Sequence, residues 1–152
     1  MKEEKVILVD KLDNQIGTMS KMEVHQKAVL HRAFSVFILN EKGELMLQQR
    51  AHDKYHSPSL WTNTCCSHQR EGEGNIEAGK RRLKEEMGFT TDLKELFHFI
   101  YQAPFDNGLT EKPHSSIFIT LPEDLFINSL YFSLIVLSSF SAKSCLATIV
   151  FS

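Results

Sequence analysis

Two adjacent cysteines stand in the stretch WTNTCCSHQREGE, residues 61–73, where thiols, an imidazole and carboxylates occur within a few positions. Cys65 and Cys66 suggest four interpretations: a disulfide, a metal site with His68, a nucleophile, or two buried small residues. The chain has three cysteines, too few and odd in number for a disulfide framework, and neighbouring cysteines do not readily bridge to each other. We therefore expect free thiols and a reducing, cytoplasmic location, and the other three interpretations stay open.

A second group with chemical potential is the pair of glutamates Glu85 and Glu86. They fall at the end of a predicted helix, where the helix dipole disfavours carboxylates. The ordinary interpretation is that Arg81 and Arg82, one turn earlier, neutralise them as solvated ion pairs. The alternative is that the glutamates face a cation.

The elements that must position these groups are strands, one helix and further strands. The expected strands are KVILVD (5–10), a short extended segment after the turn LDNQIG (12–17), Ala33–Asn40 and Leu45–Arg50 as a hairpin, LKELFHFIYQA (93–103) and SIFITL (116–121). HSPSLWTN (56–63) is expected to be a loop. This order of elements predicts an α+β fold with a mixed β-sheet.

The predicted helix has Asn75 as its N-cap, runs to about Glu86 and is followed by Gly88, a residue typical of helix ends. Its expected apolar stripe consists of Ile76, Leu83 and Met87.

Composition and charge exclude several classes of protein. With 152 residues the chain is expected to form one domain. A net charge of −2 and the lack of a basic block predict no nucleic-acid partner. The first ten residues, MKEEKVILVD, are charged from the start and do not resemble a signal peptide.

The spacing from Ser67 to Phe89 resembles the Nudix box, a loop–helix–loop in which helical glutamates hold a divalent cation on a diphosphate. The matching residues are Glu73, Arg81, Leu83, Glu85, Glu86, Gly88 and Phe89. Ser67 stands where the box begins with glycine, and Arg82 stands where it has glutamate. Because the second change removes a hard oxygen ligand for Mg²⁺, it argues against ordinary Nudix hydrolysis.

A more specific resemblance covers residues 5–111. The stretches MSKMEVHQKAVLHRAFS, LQQRAHDKYHSPSLWTNTCCSH, NIEAGKRRLKEEMGF and YQAPFDNGLTE resemble the type I isopentenyl-diphosphate isomerases, which have the Nudix fold. This resemblance implies a metal-dependent 1,3-proton shift that interconverts isopentenyl and dimethylallyl diphosphate in isoprenoid biosynthesis, without flavin. One group protonates the double bond, and another removes a proton from the opposite face.

The resemblance also implies roles for individual residues. Cys66 is the catalytic cysteine, Cys65 is its packing neighbour, and Tyr101 lies near the reacting carbons, where a phenol assists proton transfer. Taken alone, Tyr101 is equally compatible with a half-buried strand residue. The residues implied to bind the substrate are Lys21, Arg50, Lys54, Arg82 and Trp61; each cation by itself would be an ordinary surface charge.

Two metal sites are implied. The first has the ligands His25, His31, His68 and Glu111, and its imidazoles favour Zn²⁺ or Mn²⁺ over Mg²⁺. A loop must bring His25 and His31 together, because six residues do not separate neighbours on one helix face. In the second, Glu86 and the main-chain carbonyl of Cys66 hold Mg²⁺ on the diphosphate. The remaining histidines, His52, His56, His98 and His114, are expected to be surface or core residues.

The chain departs from the family pattern after Glu111. The family has Glu-x-Glu there, and its second glutamate is both a metal ligand and an acid/base, whereas this chain has Lys112 and Pro113. Proline has no side chain able to bind a metal or transfer a proton. We therefore expect low or absent isomerase activity, because such a group typically contributes about 10²–10⁴-fold.

The segment 121–152 differs from the family-like part, residues 1–120. It contains the uncharged run LFINSLYFSLIVLSSFSA (125–142) and a single basic residue, Lys143. The run reaches the length of a membrane span, but its serines and lack of basic flanks favour an element packed on the domain, or a tail that arises from a frameshift or an alternative 3′ end. We expect no membrane anchor and a monomer or weak dimer.

Two other functions remain as alternatives. One is a Nudix hydrolase that cleaves a diphosphate, and the other is a non-catalytic protein that binds a diphosphate or a metal.

Overall fold

The structure is a computed structural model that describes residues 4–53, 59–104 and 107–120, together with the backbone of 148–150. Its elements in chain order are β1 (Lys5–Val9), β2 (Gln15–Ser20), α1 (Lys21–Lys27), β3 (His31–Ile38), β4 (Gln48–Gln49), β5 (Trp61–Thr62), β6 (Cys65–Ser67), α2 (Asn75–Met87), β7 (Lys94–Pro104), β8 (Thr110–Glu111), β9 (Pro113–Thr120) and β10 (Thr148–Val150).

A mixed sheet forms the centre of the fold, with strands in the order β10-β7-β9-β3-β1-β2. β3 and β9 are parallel, and the other pairs in the sheet are antiparallel. β1 and β6 share the other edge of β3: β1 pairs at His31, and β6 pairs at 34–36. The predicted α+β fold with a mixed sheet is confirmed.

α2 packs on one face of this sheet through its residues Ala78, Gly79 and Leu83. The core beneath it includes Phe34, Val36, Cys65, Leu93 and Phe118. Gly79 permits the close approach, because a Cβ at this position would lie 2.9 Å from Leu93 Cδ1 and 3.2 Å from Phe118 Cδ2.

The ends and the apolar face of α2 differ in detail from the prediction. The N-cap is Gly74, which has no side chain to accept a hydrogen bond, so Asn75 is the first helical residue instead of the cap. Ile76 remains 36% exposed and does not belong to the apolar face. Gly88 ends the helix with φ of 82°, as expected.

Other expected elements are changed or shortened. The strand expected at Leu45–Arg50 is reduced to β4, preceded by an isolated bridge between Leu39 and Leu45. Part of the expected loop 56–63 is β5, which pairs with β4. α1 was not predicted, although Ser20 caps it by accepting a hydrogen bond from the backbone N–H of Glu23.

No helix within 4–53, 59–104 or 107–120 is long and apolar enough to cross a membrane. The apolar run 125–142 lies outside the described residues. Residues 148–150 form β10, which pairs with β7 opposite Ile100, Tyr101 and Gln102.

We expect Gly79→Ala to destabilise the protein, although alanine normally favours a helix by about 1 kcal/mol over glycine. The added methyl group must displace Leu93 or the buried ring of Phe118, and overpacking typically costs about 1–3 kcal/mol. Urea denaturation of both proteins measures the difference. Glu77→Ala, on the exposed side of the same helix, is the control; it removes only the first-turn carboxylate and is expected to change stability by less than about 1 kcal/mol. A Gly79→Ala variant more stable than the wild type would contradict the packing.

Candidate metal centre and diphosphate site

Three histidines and a glutamate that are far apart in sequence meet in one cluster. One ligand atom from each of His25, His31, His68 and Glu111 lies within 4.8 Å of the others. His25 Nε2 is 3.1 Å from Glu111 Oε1, and His31 Nε2 is 3.8 Å from Glu111 Oε2. The structure therefore brings together the four residues predicted as metal ligands.

Local backbone structure explains how the first two histidines meet. His25 lies in the last turn of α1, which ends at Ala28 in the left-handed conformation, with φ of 51°. The chain then reverses, and His31 begins β3. The two rings are 5.3 Å apart between centroids, as the prediction of an intervening loop requires.

The hydrogen bonds of these rings leave nitrogens free for a metal. His31 Nδ1 is 2.9 Å from the carbonyl oxygen of Val29, so Nδ1–H donates and Nε2 retains its lone pair. Two buried ring nitrogens, His31 Nε2 and His68 Nδ1, make no hydrogen bond, and His25 Nε2 faces only Glu111, at 3.1 Å. Unpaired buried polar atoms are costly, and here they converge on Glu111, so the donor set fits a divalent cation.

The electrostatics of the cluster favour the protonation states that bind metals. Burial lowers the pKa of His31 below its ordinary value, and it lowers the pKa of His68 further. Burial alone would raise the pKa of Glu111, but the contact with His25 and the neighbouring imidazoles lower it well below its usual range. The imidazoles of His31 and His68, neutral beside an ionised carboxylate, can bind Zn²⁺ or Mn²⁺ without first losing a proton.

The cysteine pair lies on β6, which pairs with β3, the strand that begins at His31. Cys65 pairs with Val36 and Cys66 with Ser35. Cys65 is fully buried in the core under α2, as its expected packing role requires, and burial followed by the charge of Glu86 raises the pKa of its thiol to about 12. Cys66 is half-buried, and both cysteines are free thiols, so the disulfide interpretation is wrong.

Asn63 and Thr64, which precede the cysteines, fix the backbone of this strand. The sequence analysis gave neither residue a role. The buried side chain of Asn63 donates to the carbonyl oxygen of Cys65 at 2.7 Å. Thr64 Oγ1 donates to the carbonyl oxygen of Met46 and accepts from the backbone N–H of Ile38. These contacts give a physical reason for Asn63 and Thr64 in the stretch WTNTCCSHQREGE.

Glu73 and Arg81 fix the backbone at His68. Glu73 accepts hydrogen bonds from Arg81 Nε at 2.6 Å and from Nη2 at 3.0 Å. The same Nη2 donates to the carbonyl oxygen of His68 at 3.3 Å. These two residues of the Nudix box therefore position a predicted metal ligand.

The glutamate pair of α2 is neutralised by arginines, as the ordinary interpretation expects. Glu85 contacts Arg81 at 3.1 Å and Arg82 at 3.2 Å, and Glu86 forms a close ion pair with Arg82. Glu86 also accepts a hydrogen bond at 3.0 Å from Gln48, which the sequence prediction did not identify. Glu86 and Arg82 lie near enough to Cys65 to influence its thiol.

The predicted substrate-binding residues have different environments. Lys21 pairs with Glu4 at 3.1 Å, and the backbone N–H of Arg50 donates to the carbonyl oxygen of Leu60. Trp61 is 62% exposed. Lys54, like His56, lies outside the described residues.

Tyr101 packs against a second hydrophobic cluster, which consists of Phe37, Leu39, Phe99, Ile117 and Ile119. Its ring stacks on that of Phe99, with 5.7 Å between the ring centroids. Burial, and then the charges of Glu111 and Cys66, raise the pKa of Tyr101 well above its ordinary value. Its phenol therefore remains protonated at neutral pH and can donate a hydrogen bond.

Pro113 begins β9 directly beside His31 in the parallel register. Paired residues of neighbouring strands point to the same face, so a glutamate at this position would project towards the cluster. His114, beside Arg32, faces the opposite way. It is buried, its ring stacks on His98 at 4.9 Å, and its Nδ1 is 3.6 Å from Asp13, so it stays outside the metal cluster as expected.

Comparison with known proteins agrees with this geometry. The family model of the NUDIX domain matches residues 29–128. The chain belongs to the Nudix family.

Within this Nudix family, the relatives of the chain are isopentenyl-diphosphate Delta-isomerases. It is 51% identical to the enzyme of that name from Serratia proteamaculans over 119 residues, which cover 78% of this chain and 66% of that protein. It is 52% identical to isopentenyl-diphosphate Delta-isomerase 2 of Photorhabdus laumondii over 117 residues, with 77% and 66% covered. It is 47% identical to the enzyme of Aliivibrio fischeri over 129 residues, with 80% and 71% covered. The chain thus spans just under two thirds of the length of the first two relatives and belongs to their group.

One solved structure shares the Nudix fold of this chain. DR0079 from Deinococcus radiodurans superposes with a TM-score of 0.58 at 20% identity, covering 82% of this chain and 76% of that protein. At this identity the similarity concerns the fold alone.

We expect Glu73→Gln to lower the free energy of unfolding by about 1–2 kcal/mol at pH 7, because Arg81 loses a charge-assisted partner in a mostly buried place. The hydrogen bond from Arg81 holds the pKa of Glu73 below its ordinary 4.5. A carboxylate with a lowered pKa stabilises the folded state above its unfolded pKa, and this contribution disappears as the pH falls through the folded pKa. Urea denaturation between pH 3 and 7 should show the two proteins converging below about pH 4.

The control for this experiment is Glu71→Gln, two residues away and exposed. It removes the same charge without a partner in the site, and we expect it to change stability by less than about 0.5 kcal/mol. A difference between Glu73→Gln and the wild type that does not depend on pH would contradict an ionic role for Glu73.

Proposed function

We propose that this chain interconverts isopentenyl and dimethylallyl diphosphate by a metal-dependent 1,3-proton transfer. The observation that supports this most is the convergence of His25, His31, His68 and Glu111, with unpaired ring nitrogens, in a Nudix chain related to isomerases. The neighbouring half-buried thiol of Cys66 is the proposed acid/base group on the reacting carbons. The partner is a small diphosphate ester, and no C–O or P–O bond is broken.

A divalent cation in the histidine cluster would fit the donors present. His25, His31, His68 and Glu111 would hold it, and Zn²⁺ or Mn²⁺ suits three imidazoles and a carboxylate better than Mg²⁺ does. Bound there, the cation would supply fixed positive charge that orients Glu111 and stabilises charge on nearby oxygen atoms.

A hard cation on the diphosphate would be held by a different residue. Mg²⁺ typically takes one or two protein carboxylates and completes its shell with phosphate oxygens and water. Glu86 supplies such a carboxylate, and the main-chain carbonyl of Cys66 is the proposed second protein ligand. Lys21, Arg50, Lys54 and Arg82 would balance the negative charge of the diphosphate.

The proton transfers would be divided between groups near the reacting carbons. Cys66 would exchange a proton with one end of the three-carbon unit. Tyr101 stays protonated and would orient the reacting end as a hydrogen-bond donor. Trp61 would line the pocket, where an aromatic face stabilises developing positive charge.

Pro113 limits this chemistry in the present chain. The proposed partner of Cys66 at position 113 is a carboxylate in the family pattern, and proline cannot replace it. The chain would therefore bind its metal and diphosphate while turning over slowly. If turnover proves absent, the second candidate function is a non-catalytic binder of the same diphosphate, and Pro113 is the observation that favours it.

We expect Zn²⁺ or Mn²⁺ to raise the thermal stability of the protein, because a ligand that binds only the folded state stabilises it by about 2.7 kcal/mol at 100 times its Kd. Glu111→Gln retains the size of the side chain but loses the anionic ligand, and should weaken metal binding by at least about 10-fold. Calorimetric titration of the metal-free proteins measures both affinities. His52→Ala, an exposed histidine outside the cluster, should bind the metal like the wild type. Equal affinity for wild type and Glu111→Gln would rule out the proposed centre.

We expect Pro113→Glu to raise isomerase turnover by about 10²–10⁴-fold, since it returns an acid/base carboxylate to the face of His31. The assay follows conversion of isopentenyl to dimethylallyl diphosphate with Mg²⁺ and Mn²⁺ present. Pro113→Gln is the matched control: it has the same size without the acid/base function and should remain slow. Rapid turnover by the unaltered chain would show that position 113 is not needed.

A further inference from the structure

The carboxylate of Glu86 is shared between two side chains that come from different elements. Arg82, one turn earlier on α2, contacts Oε1 in a close ion pair, and Gln48 of β4 donates to Oε2 at 3.0 Å. Both oxygens are therefore engaged. The carboxylate proposed for Mg²⁺ already has a cation on it, supplied by the chain itself.

The contacts of Arg82 leave part of its guanidinium unsatisfied. Nη1 donates to Glu85 at 3.2 Å and Nη2 to Glu86, but the buried Nε makes no hydrogen bond. A guanidinium offers five donors in a planar fork, and this arrangement suits an anion with several oxygens better than two separate carboxylates. The contacts with Glu85 and Glu86 therefore hold Arg82 in place but leave its Nε–H without a hydrogen-bond acceptor.

The surroundings show that this pair lies at the edge of the proposed site and is not a remote surface ion pair. The side chains of Arg82 and Glu86 are only 30% and 21% exposed. Both lie close enough to Cys65 to influence its thiol, and the next residue along the backbone of β6 is Cys66, whose main-chain carbonyl is the proposed second ligand of Mg²⁺. In the Nudix box pattern the position of Arg82 holds a glutamate, so the chain has a positive charge where the pattern has a negative one.

We propose that Arg82 is an exchangeable counter-ion of Glu86. It neutralises Glu86 while no metal diphosphate is bound, and it turns from Glu86 to the diphosphate when Mg²⁺ and the diphosphate enter together. Gln48 stays on the second oxygen. This inference rests on the proposed binding of a diphosphate, and it adds an order to that binding.

The consequence is positive coupling between the metal and the anion. Mg²⁺ alone must displace a tethered cation and leave Arg82 with only its contact to the more exposed Glu85, so it binds weakly. Mg²⁺ that arrives with a diphosphate provides Arg82 with a new partner at the moment when it leaves Glu86. Couplings of this kind typically change an affinity by about 5–150-fold.

Calorimetry on Zn²⁺-loaded protein, in which the histidine cluster is filled, distinguishes binding of Mg²⁺ alone from binding of Mg²⁺ together with a diphosphate. The probes are Mg²⁺ alone and the preformed complex of Mg²⁺ with inorganic pyrophosphate. The wild type should bind the complex and bind Mg²⁺ alone weakly. Arg82→Gln should bind Mg²⁺ alone about 10-fold tighter and the complex about 10-fold more weakly, in keeping with the size of such couplings.

Arg70→Gln is the matched control. Arg70 is an exposed arginine that forms its ion pair with Glu85, at 3.2 Å, so this variant removes the same charge from the same surface. Both of its affinities should stay within about 2-fold of the wild type, since exposed pairs contribute little. In the Arg82→Gln background, Glu86→Gln should abolish the gain in Mg²⁺ affinity.

The outcomes distinguish this inference from the function on which it rests. If the wild type binds the pyrophosphate complex but Arg82→Gln binds Mg²⁺ no tighter, the exchange is wrong and diphosphate binding stands. If Arg70→Gln shows the same opposite changes as Arg82→Gln, a general charge effect replaces the exchange. If the wild type does not bind the complex at all, both the inference and the proposed function are overturned.

Discussion

The parallel pairing of β3 with β9 determines where the chemistry of this protein lies. It sets His31 beside Pro113, and the other edge of β3 receives β6, which sets Cys66 beside Ser35. Nearly every residue of β9 is buried, as are the last five of β3, so a slip by one residue would exchange the side chains of the two packed faces and disrupt both hydrophobic clusters. Burial of the sheet therefore fixes the register, and the register fixes the metal cluster.

The same burial makes the cluster costly until it is filled. His31 and His68 hold unpaired nitrogens away from water, and each such atom costs about 1–3 kcal/mol. The network around them cannot relax easily, because Arg81 holds the backbone of His68 and Val29 holds the ring of His31. A cation would compensate for this cost directly, so metal binding and folding stability are expected to be coupled in this chain.

Local sequence patterns predicted those elements whose conformation depends on neighbouring residues, such as alternating strands and helix ends. The alternating segment 93–103 corresponds to β7, and Gly88 ends α2 because it adopts a positive φ. The helix α1 was missed since seven residues are too few for a periodic pattern, although Ser20 and Glu23 form a recognisable capping sequence. Ile76 was placed on the buried face because periodicity does not show where a helix extends past the sheet.

The site could be predicted only in part, and for a different reason. No periodicity relates His25 to His68 or Glu111, so only the family resemblance suggested that they meet, and the cluster agrees with it. The contact of Gln48 with Glu86 joins residues 38 positions apart and has no signal in a single sequence. Such contacts arise when strands far apart in the chain pair with each other. This pairing cannot be predicted from a single sequence taken alone.

Glu111 cannot easily take over the task of the glutamate that Pro113 replaces. Its two oxygens face His25 and His31, at 3.1 and 3.8 Å, and a metal in the cluster would engage the carboxylate further. The surrounding imidazoles, acting against burial, lower its pKa, and a carboxylate stabilised as an anion is a weak base. Burial raises the pKa of Tyr101 well above its ordinary value, so its phenol stays protonated at neutral pH and does not supply a base. Among these residues the chain therefore offers candidate metal ligands and a hydrogen-bond donor, while position 113, beside His31, has no carboxylate. The proline at the start of β9 thus leaves the four clustered side chains in place and puts no carboxylate on the face of His31.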